Sequence, residues 1–275
     1  MCRSVFSWTA IISAHSSSGH GHEALRLHKC MLQDGVEPNN YTYVALFKAC
    51  GSMEDVREGM RFHMEASKKG YTSDVYVGSS LVSMYGKCGA LLEAREVFDN
   101  LQVRDVITWG AIIAGCVQHG YAQEALHLFE RMRFDDISPD AVTLACVLKS
   151  CGCVGALHKG QEIHAAVVGE GNMLVNNPMV GTALVDMYAK CGMLAKSQQV
   201  LEELPIRNEV SWSSLIVGYA KQCRGYEALK CFERMRYEGY LVDAITFICI
   251  MKACGTIGAI DEVNEIYNET VSRGL

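Results

Sequence analysis

Apolar side chains recur along this chain at spacings of three and four, in short stretches separated by single glycines. Within 106–140, Trp109, Ile112, Ile113 and Cys116 fall on one helical face. Leu126, Phe129 and Met132 do the same in the second half of that segment. The layout predicts two helices joined by a turn, and Gly120 stands between them. Gly19, Gly89, Gly155, Gly192 and Gly258 hold the corresponding place elsewhere. A tight helix–helix turn needs positive φ, which glycine adopts without a Cβ clash. Glu54 and Cys223 stand at that place in the other two segments, so their turns are expected to be less regular, with Gly225 close to the second. Five places further on comes a small residue: Ala24, Gly59, Ala94, Ala125, Gly160 or Ala228. It is expected to let the two helices of one hairpin approach closely; Ser197 and Val263 depart mildly from the pattern. "EPN" at 37–39 and "SPD" at 138–140 end a second helix, since Pro cannot continue it and Asn or Asp can cap the next.

The hairpins fall into three kinds that alternate. One carries Trp and then Glu-Ala-Leu, as in "DVITWGAIIAGC" at 105–116 followed by "QEALHLFERM" at 123–132. The next carries "YTYVALFKACG" at 41–51, echoed at 142–152 and 245–255. The third carries "LVSMYGKCG" at 81–89, echoed by "LVDMYAKCG" at 184–192. The resulting single array is 5–39, 40–74, 75–105, 106–140, 141–177, 178–208, 209–243 and an incomplete 244–275. Two extra residues are expected within "GEGNMLVNN" at 169–177. One hairpin cannot bury its apolar face alone, whereas stacked hairpins bury a continuous core and line a concave surface with one helix of each pair. Neither end carries a polar capping repeat, which predicts a fragment of a longer array.

Composition narrows the function. Thirteen Cys, an odd number spread through helical segments, argue against a disulfide framework and for a reducing compartment. The formal net charge of −6 weighs against a protein that coats phosphates generically, but not against one whose basic residues share a face. No apolar run approaches bilayer length, and no membrane partner is expected. Arg3, several Ser and no acid in the first 20 residues resemble the start of a transit peptide, yet 5–39 fits the repeat, so this segment is expected to be folded.

Chemistry-bearing motifs are few. Cys50 and His63, like Cys151 and His164, share a zinc-finger-like spacing, but no C-x2-C pair accompanies them and a zinc site needs four ligands. The two Cys-His pairs recur because the hairpin recurs, so no metal and no other cofactor is expected. "HME" at 63–65 matches the H-x-E of zinc deaminases without their P-C-x-x-C, so no catalytic residue is assigned and the segment is not expected to be an enzyme. Cys88 and Cys191, at the ends of the "KCG" helices, are expected to be packed thiols.

"VITWGAIIAGCVQHGYAQEALHLFERM", "TLACVLKSCGCVGALHKGQEIHA" and "VGSSLVSMYGKCGALLEAREVFD" resemble plant pentatricopeptide repeats of the mixed-length class. The Trp-x2-Leu-Gly-x2-Tyr pattern of tetratricopeptide repeats is absent. The resemblance covers essentially the whole chain. It implies an all-α fold, a right-handed superhelical α-solenoid of stacked helix-turn-helix repeats. It also implies sequence-specific binding of single-stranded RNA in a mitochondrion or chloroplast, most often to mark sites of C-to-U editing. Editing cofactor proteins, or a deaminase acting in trans, are implied partners.

By that resemblance each repeat reads one base. Its fifth and last residues face the base edge: Thr9 with Asn39 and Thr182 with Asn208 for adenine, Ser79 with Asp105 and Ser213 with Asp243 for guanine. Ionised Asp only accepts hydrogen bonds, whereas an Asn amide both donates and accepts. Gly110 with Asp140 lacks one side chain, so weak selectivity is implied, leaning to guanine or uracil. Val44 with Asp74 and Ala145 with Asn177 imply loose contact or spacing. The second residues, Phe6, Tyr41, Tyr76, Ile107, Val142, Met179, Val210 and Ile245, are implied to pack against base faces, worth about 1–3 kcal/mol per aromatic stack. With the N-terminus toward the RNA 5′ end, the footprint reads 5′-A-n-G-n-n-A-G-n-3′. The last residues could instead be plain helix caps, and the second residues ordinary groove or core positions. A helical scaffold that binds proteins and not RNA is the alternative, mildly favoured by the negative charge.

Overall fold

The computed structural model describes residues 4–169, 177–259, 264, 267 and 268. Among the described residues there are fifteen α-helices, one short 3-10 turn and no strand. Arg3, the stretch 170–176 in which the insertion is expected, and Val263 lie outside them. The chain divides into two compact units, Met1–Thr143 and Leu144–Leu275.

The first unit holds hairpins α1 (Val5–Ser17) with α2 (Gly21–Gln33), α3 (Asn40–Met53) with α4 (Val56–Lys68), α5 (Val75–Lys87) with α6 (Leu91–Asn100), and α7 (Val106–Gln118) with α8 (Ala122–Phe134). Each of these first helices packs on its own second helix, and α1 packs on α3, α3 on α5 and α5 on α7, so α1, α3, α5 and α7 form one layer. α9 (Ala141–Val154) begins at the end of this unit and continues into the second, where α10 (Leu157–Gly169) completes its hairpin. The second unit continues with α11 (Pro178–Lys190) and α12 (Leu194–Glu203), α13 (Glu209–Lys221) and α14 (Gly225–Tyr237), and then α15 (Ala244–Ile257). There α11 packs on α12 and α13, and α13 on α14 and α15.

The two ends of a hairpin are built differently. Side-chain oxygens of Asn39, Asp74, Asp105, Asn177, Asn208 and Asp243 accept a backbone N–H of the first turn that follows, satisfying donors a helix start leaves open. Second helices α2, α6, α8, α12 and α14 have no such side-chain cap. Just before the N-cap stands a left-handed turn residue, with φ from 75° to 82° at Gly19, Gly89, Gly120 and Gly192 before α2, α6, α8 and α12, and 70° at Gly155 before α10. The expectation of irregular turns at Glu54 and Cys223 is corrected here. Both adopt the same left-handed backbone, at φ 55° and 58°, so the turn is imposed by packing even where the residue resists it. Gly225 serves close approach: a Cβ there would lie 2.6 Å from Ile257 and 2.7 Å from the Ala253 carbonyl oxygen.

The core is the layer between first and second helices, with Trp8, Phe62, Phe98, Trp109, Trp212 and Phe232 almost wholly buried. Ala24, Ala94, Ala125 and Ala228 are fully buried, and Ser197 fits by donating its hydroxyl to the Val185 carbonyl at 2.8 Å. At two small positions the reason differs from the expected one. A Cβ on Gly59 would meet Met84 Sδ at 2.5 Å, and one on Gly160 would meet Met187 Sδ at 2.5 Å. Those methionines belong to the following hairpin, so these glycines admit a neighbour's knob into the joint between hairpins. The adjacent tyrosines complete the joint: His63 Nδ1 lies 2.9 Å from the Tyr85 hydroxyl, and His164 Nδ1 2.9 Å from that of Tyr188. The recurrent Cys-His spacing and the Met-Tyr pair are thus parts of one packing joint, present once in each unit.

Candidate nucleic-acid interface

The N-terminal ends of the first helices carry two recurring features. The first is an exposed apolar residue at the second helical position. Phe6, Tyr41, Tyr76, Ile107 and Val142 occupy it in the first unit, and Met179, Val210 and Ile245 in the second. Exposure runs from 48% at Val142 to 75% at Phe6, so none of the eight is a core residue. An apolar side chain gains nothing from facing water, and a regular row of them offers surface to a ligand with flat apolar faces.

The second feature is polar and lies beside the first. Asn39 accepts the Thr42 N–H through Oδ1 at 2.9 Å, and the Thr42 hydroxyl also donates to that oxygen at 2.9 Å. Thr9 Oγ1 is 2.7 Å from Thr42 Oγ1. Asp105 accepts both the Thr108 N–H, at 2.8 Å, and its hydroxyl, at 2.6 Å, while Ser79 Oγ is 2.7 Å from Thr108 Oγ1. Asp140 takes only the Thr143 N–H at 2.8 Å, and Gly110 brings no partner for the Thr143 hydroxyl, which is buried and unpaired. In the second unit Asn208 Oδ1 accepts the Ser211 N–H at 2.8 Å and its Nδ2 donates to Thr182 Oγ1 at 3.0 Å. Asp243 accepts the Thr246 N–H at 2.8 Å, and the buried Thr246 hydroxyl has no partner.

Capping therefore does not exclude a second role. It uses Oδ1 and leaves the other terminal atom, Nδ2 of Asn39 or Oδ2 of Asp105, Asp140 and Asp243, without a protein partner among the described residues. Thr182 and Asn208 bond directly, and Thr9 with Asn39 and Ser79 with Asp105 meet through a shared hydroxyl. Ser213 and Asp243 line one groove without a bond between them among the described residues, and Gly110 contributes no side-chain atom. A residue type not expected at the site joins them: the third residue of the following hairpin, such as Thr42 or Thr108. Asp74 differs. Its Oδ1 caps α5 and its Oδ2 accepts Asn40 Nδ2 at 3.3 Å, so both oxygens are engaged.

In the second unit these features line a groove of about 760 Å³ whose wall includes Val210, Ser213, Asp243, Ile245, Lys190 and Lys221. Lys190 pairs with Asp186 at 2.7 Å, whereas Lys221 has no ion-pair partner among the described residues. The groove thus combines apolar side chains and hydrogen-bonding groups with charges of both signs, Lys190 and Lys221 beside Asp186, Glu209 and Asp243.

The cysteines lie elsewhere. Cys88 Sγ is 3.9 Å from the Cys50 carbonyl oxygen, and Cys191 Sγ is 3.9 Å from that of Cys151. Burial pushes the thiols of Cys50 up to about 12 and of Cys88 and Cys151 up to about 11, which keeps them protonated and unreactive. Burial also holds His63 and His164 below the usual imidazole value.

Sequence profiles place this architecture. The PPR repeat family profile matches residues 3–52, 104–153 and 207–256, and a PPR repeat profile matches 79–106 and 182–208. The chain belongs to the pentatricopeptide repeat family. Pentatricopeptide repeat-containing proteins of Arabidopsis thaliana are similar along nearly all of it. One is 34% identical over 93% of this chain and 26% of its own length. A chloroplastic one is 38% identical over 96% of this chain and 42% of its own length, and a mitochondrial one 37% over 94% and 40%. The chain thus spans well under half the length of these relatives. Among solved structures, nuclear proteinaceous RNase P 2 from A. thaliana shares the fold, with a TM-score of 0.51 at 15% identity over 64% of this chain and 41% of that one. The pentatricopeptide repeat protein PPR10 in complex with an 18-nt psaJ RNA element gives a TM-score of 0.48 at 17% identity, over 96% of this chain and 53% of that one.

Proposed function

We propose that this chain binds single-stranded RNA, one base per repeat, within a site-recognition factor for organellar RNA processing. The observation that carries the reading is the pairing of exposed apolar residues with capped polar ones at the start of every first helix. A base can stack on Tyr41 or Tyr76 and still meet the terminal atom that capping leaves free. Guanine presents N–H donors that suit Ser79 with Asp105 and Ser213 with Asp243. Adenine presents one donor and one acceptor, which suit Thr9 with Asn39 and Thr182 with Asn208. Lys221 supplies charge for a phosphate along the groove. Membership of a family with chloroplastic and mitochondrial members supports an organellar setting. C-to-U editing is the finer reading, with catalysis supplied by another domain or by a deaminase in trans.

Exchange of Asn208 for Asp tests the register. It should move the preferred base at the sixth position of 5′-AUGUUAGU-3′ from adenine to guanine by roughly tenfold in relative affinity, about 1.4 kcal/mol. A variant that still prefers adenine there would sink the assignment.

A further inference from the structure

The third residue of each following hairpin is hydroxylated after a hydroxylated fifth residue and after Gly110, and is Val after an apolar one. After Thr9, Ser79, Gly110, Thr182 and Ser213 come Thr42, Thr108, Thr143, Ser211 and Thr246, all hydroxylated. After the apolar Val44 and Ala145 come Val77 and Val180. All seven are buried. Packing alone does not require a hydroxyl here, because Val77 and Val180 fill the same place with no exposed surface. A buried hydroxyl is costly unless it is bonded, and Thr42, Thr108 and Ser211 are bonded whereas Thr143 and Thr246 are not.

The hydrogen bonds show what the bonded hydroxyls do. Thr42 gives its single proton to Asn39 Oδ1 and accepts the Asn39 N–H at 3.3 Å. The 2.7 Å contact with Thr9 then requires Thr9 to be the donor. Its proton points into the protein and its oxygen faces outward as an acceptor. Thr108 also gives its proton to Asp105; the Ser79 hydroxyl, itself buried, donates to the Val75 carbonyl at 2.7 Å and has Thr108 Oγ1 as a second inward partner at 2.7 Å. Ser79 then also presents lone pairs.

We propose that Thr42 and Thr108 are positioning residues for base recognition, setting the fifth-residue hydroxyl as an acceptor before RNA arrives. This rests on the base-reading assignment above. With Thr9 as acceptor and Asn39 Nδ2 as donor, the pair matches the amino group and ring nitrogen of adenine. With Ser79 and Asp105 both accepting, the pair matches the two N–H donors of guanine. A freely turning hydroxyl would serve donor and acceptor bases alike. Thr143 provides the internal contrast, since Gly110 offers it no hydroxyl to orient and its own is unpaired. A Cβ on Gly110 would lie 3.0 Å from Thr143 Oγ1, closer than ordinary van der Waals contact, so a side chain there would press directly on that hydroxyl.

The test uses the full chain and 5′-AUGUUAGU-3′ with each base varied in turn, read by fluorescence anisotropy alongside thermal melts. Thr108→Val should reduce guanine preference at the third base roughly tenfold and leave the first base discriminated as in the unmodified chain. Thr42→Val should do the reverse. Thr108→Ser should restore the preference, and Thr143→Val should leave the whole profile unchanged. Guanine preference kept in Thr108→Val, affinity lowered equally for every base, or an equal effect of Thr143→Val would each overturn the proposal. If the unmodified chain shows no base preference at the first and third positions, the base-reading assignment itself falls, and the proposal with it.

Discussion

Ser79, Asp105 and Thr108 in the first unit and Ser213, Asp243 and Thr246 in the second are the same three residue types at the same three places. The first set is closed. Thr108 bridges Ser79 and Asp105 at 2.7 Å and 2.6 Å. The second set is open. Asp243 caps α15 through the Thr246 N–H, the Thr246 hydroxyl is buried without a partner, and Ser213 and Asp243 line the groove. Identical side chains therefore supply the same cap but not the same network. A buried unpaired hydroxyl costs about 1–3 kcal/mol, so the open site stands to gain when Ser213 turns inward, while the closed one is already set.

The widest difference between corresponding hairpins concerns a histidine. His28 is buried against the edge of Phe62, where the corresponding residues in later hairpins are Phe129 and Phe232. Burial, with the Arg61 charge adding to it, pushes His28 down to about 4 from the ordinary 6.5. The folded form holds it neutral, so stability is full above pH 6.5 and falls as pH drops toward 4, because only the unfolded chain takes up the proton. The loss approaches about 3 kcal/mol. Urea denaturation at pH 7 and pH 4.5 should show it, and His28→Phe should remove most of it, leaving the contributions of His63 and His164, one in each unit. An unchanged pH slope in His28→Phe would contradict the assignment.

Next in size is the comparison of the two threonines. Thr108→Val should cost about 1–2 kcal/mol, since Ser79 and Asp105 each lose a partner. Thr246→Val removes a hydroxyl that bonds nothing and should be neutral or stabilising by up to about 1 kcal/mol. Equal losses in denaturant titrations would mean that the open and closed states do not differ in solution. The smallest effect belongs to the turns. Glu54→Gly in the first unit and Cys223→Gly in the second relieve a left-handed backbone and should each stabilise by up to about 1 kcal/mol, visible as a raised Tm. A fall in Tm for either would show that its side chain matters more than its backbone.

Much of this was legible in the chain. Helix pairs, turns and caps depend on neighbours three or four places away, and the spacing of Trp109, Ile112 and Cys116 or the Asp before Val106 reveals them directly. The exposure of Phe6 or Tyr76 was implied by the family resemblance alone, since an apolar residue by itself suggests a core. The purpose of Gly59 was not legible, because what fills its space is Met84 of the next hairpin. Nor was the left-handed backbone of Glu54, which local preference opposes and packing imposes.

By itself, the sequence determined the repeat, the helical hairpins and the capping residues, because each arises from contacts within a turn or two. Tertiary structure alone decided which hydroxyl faces which partner. Thr9 meets Thr42 across 33 residues and Ser79 meets Thr108 across 29. Those distances close only when one hairpin stacks on the next, and that stacking decides whether a site is set in advance, as at Ser79, or left open, as at Ser213.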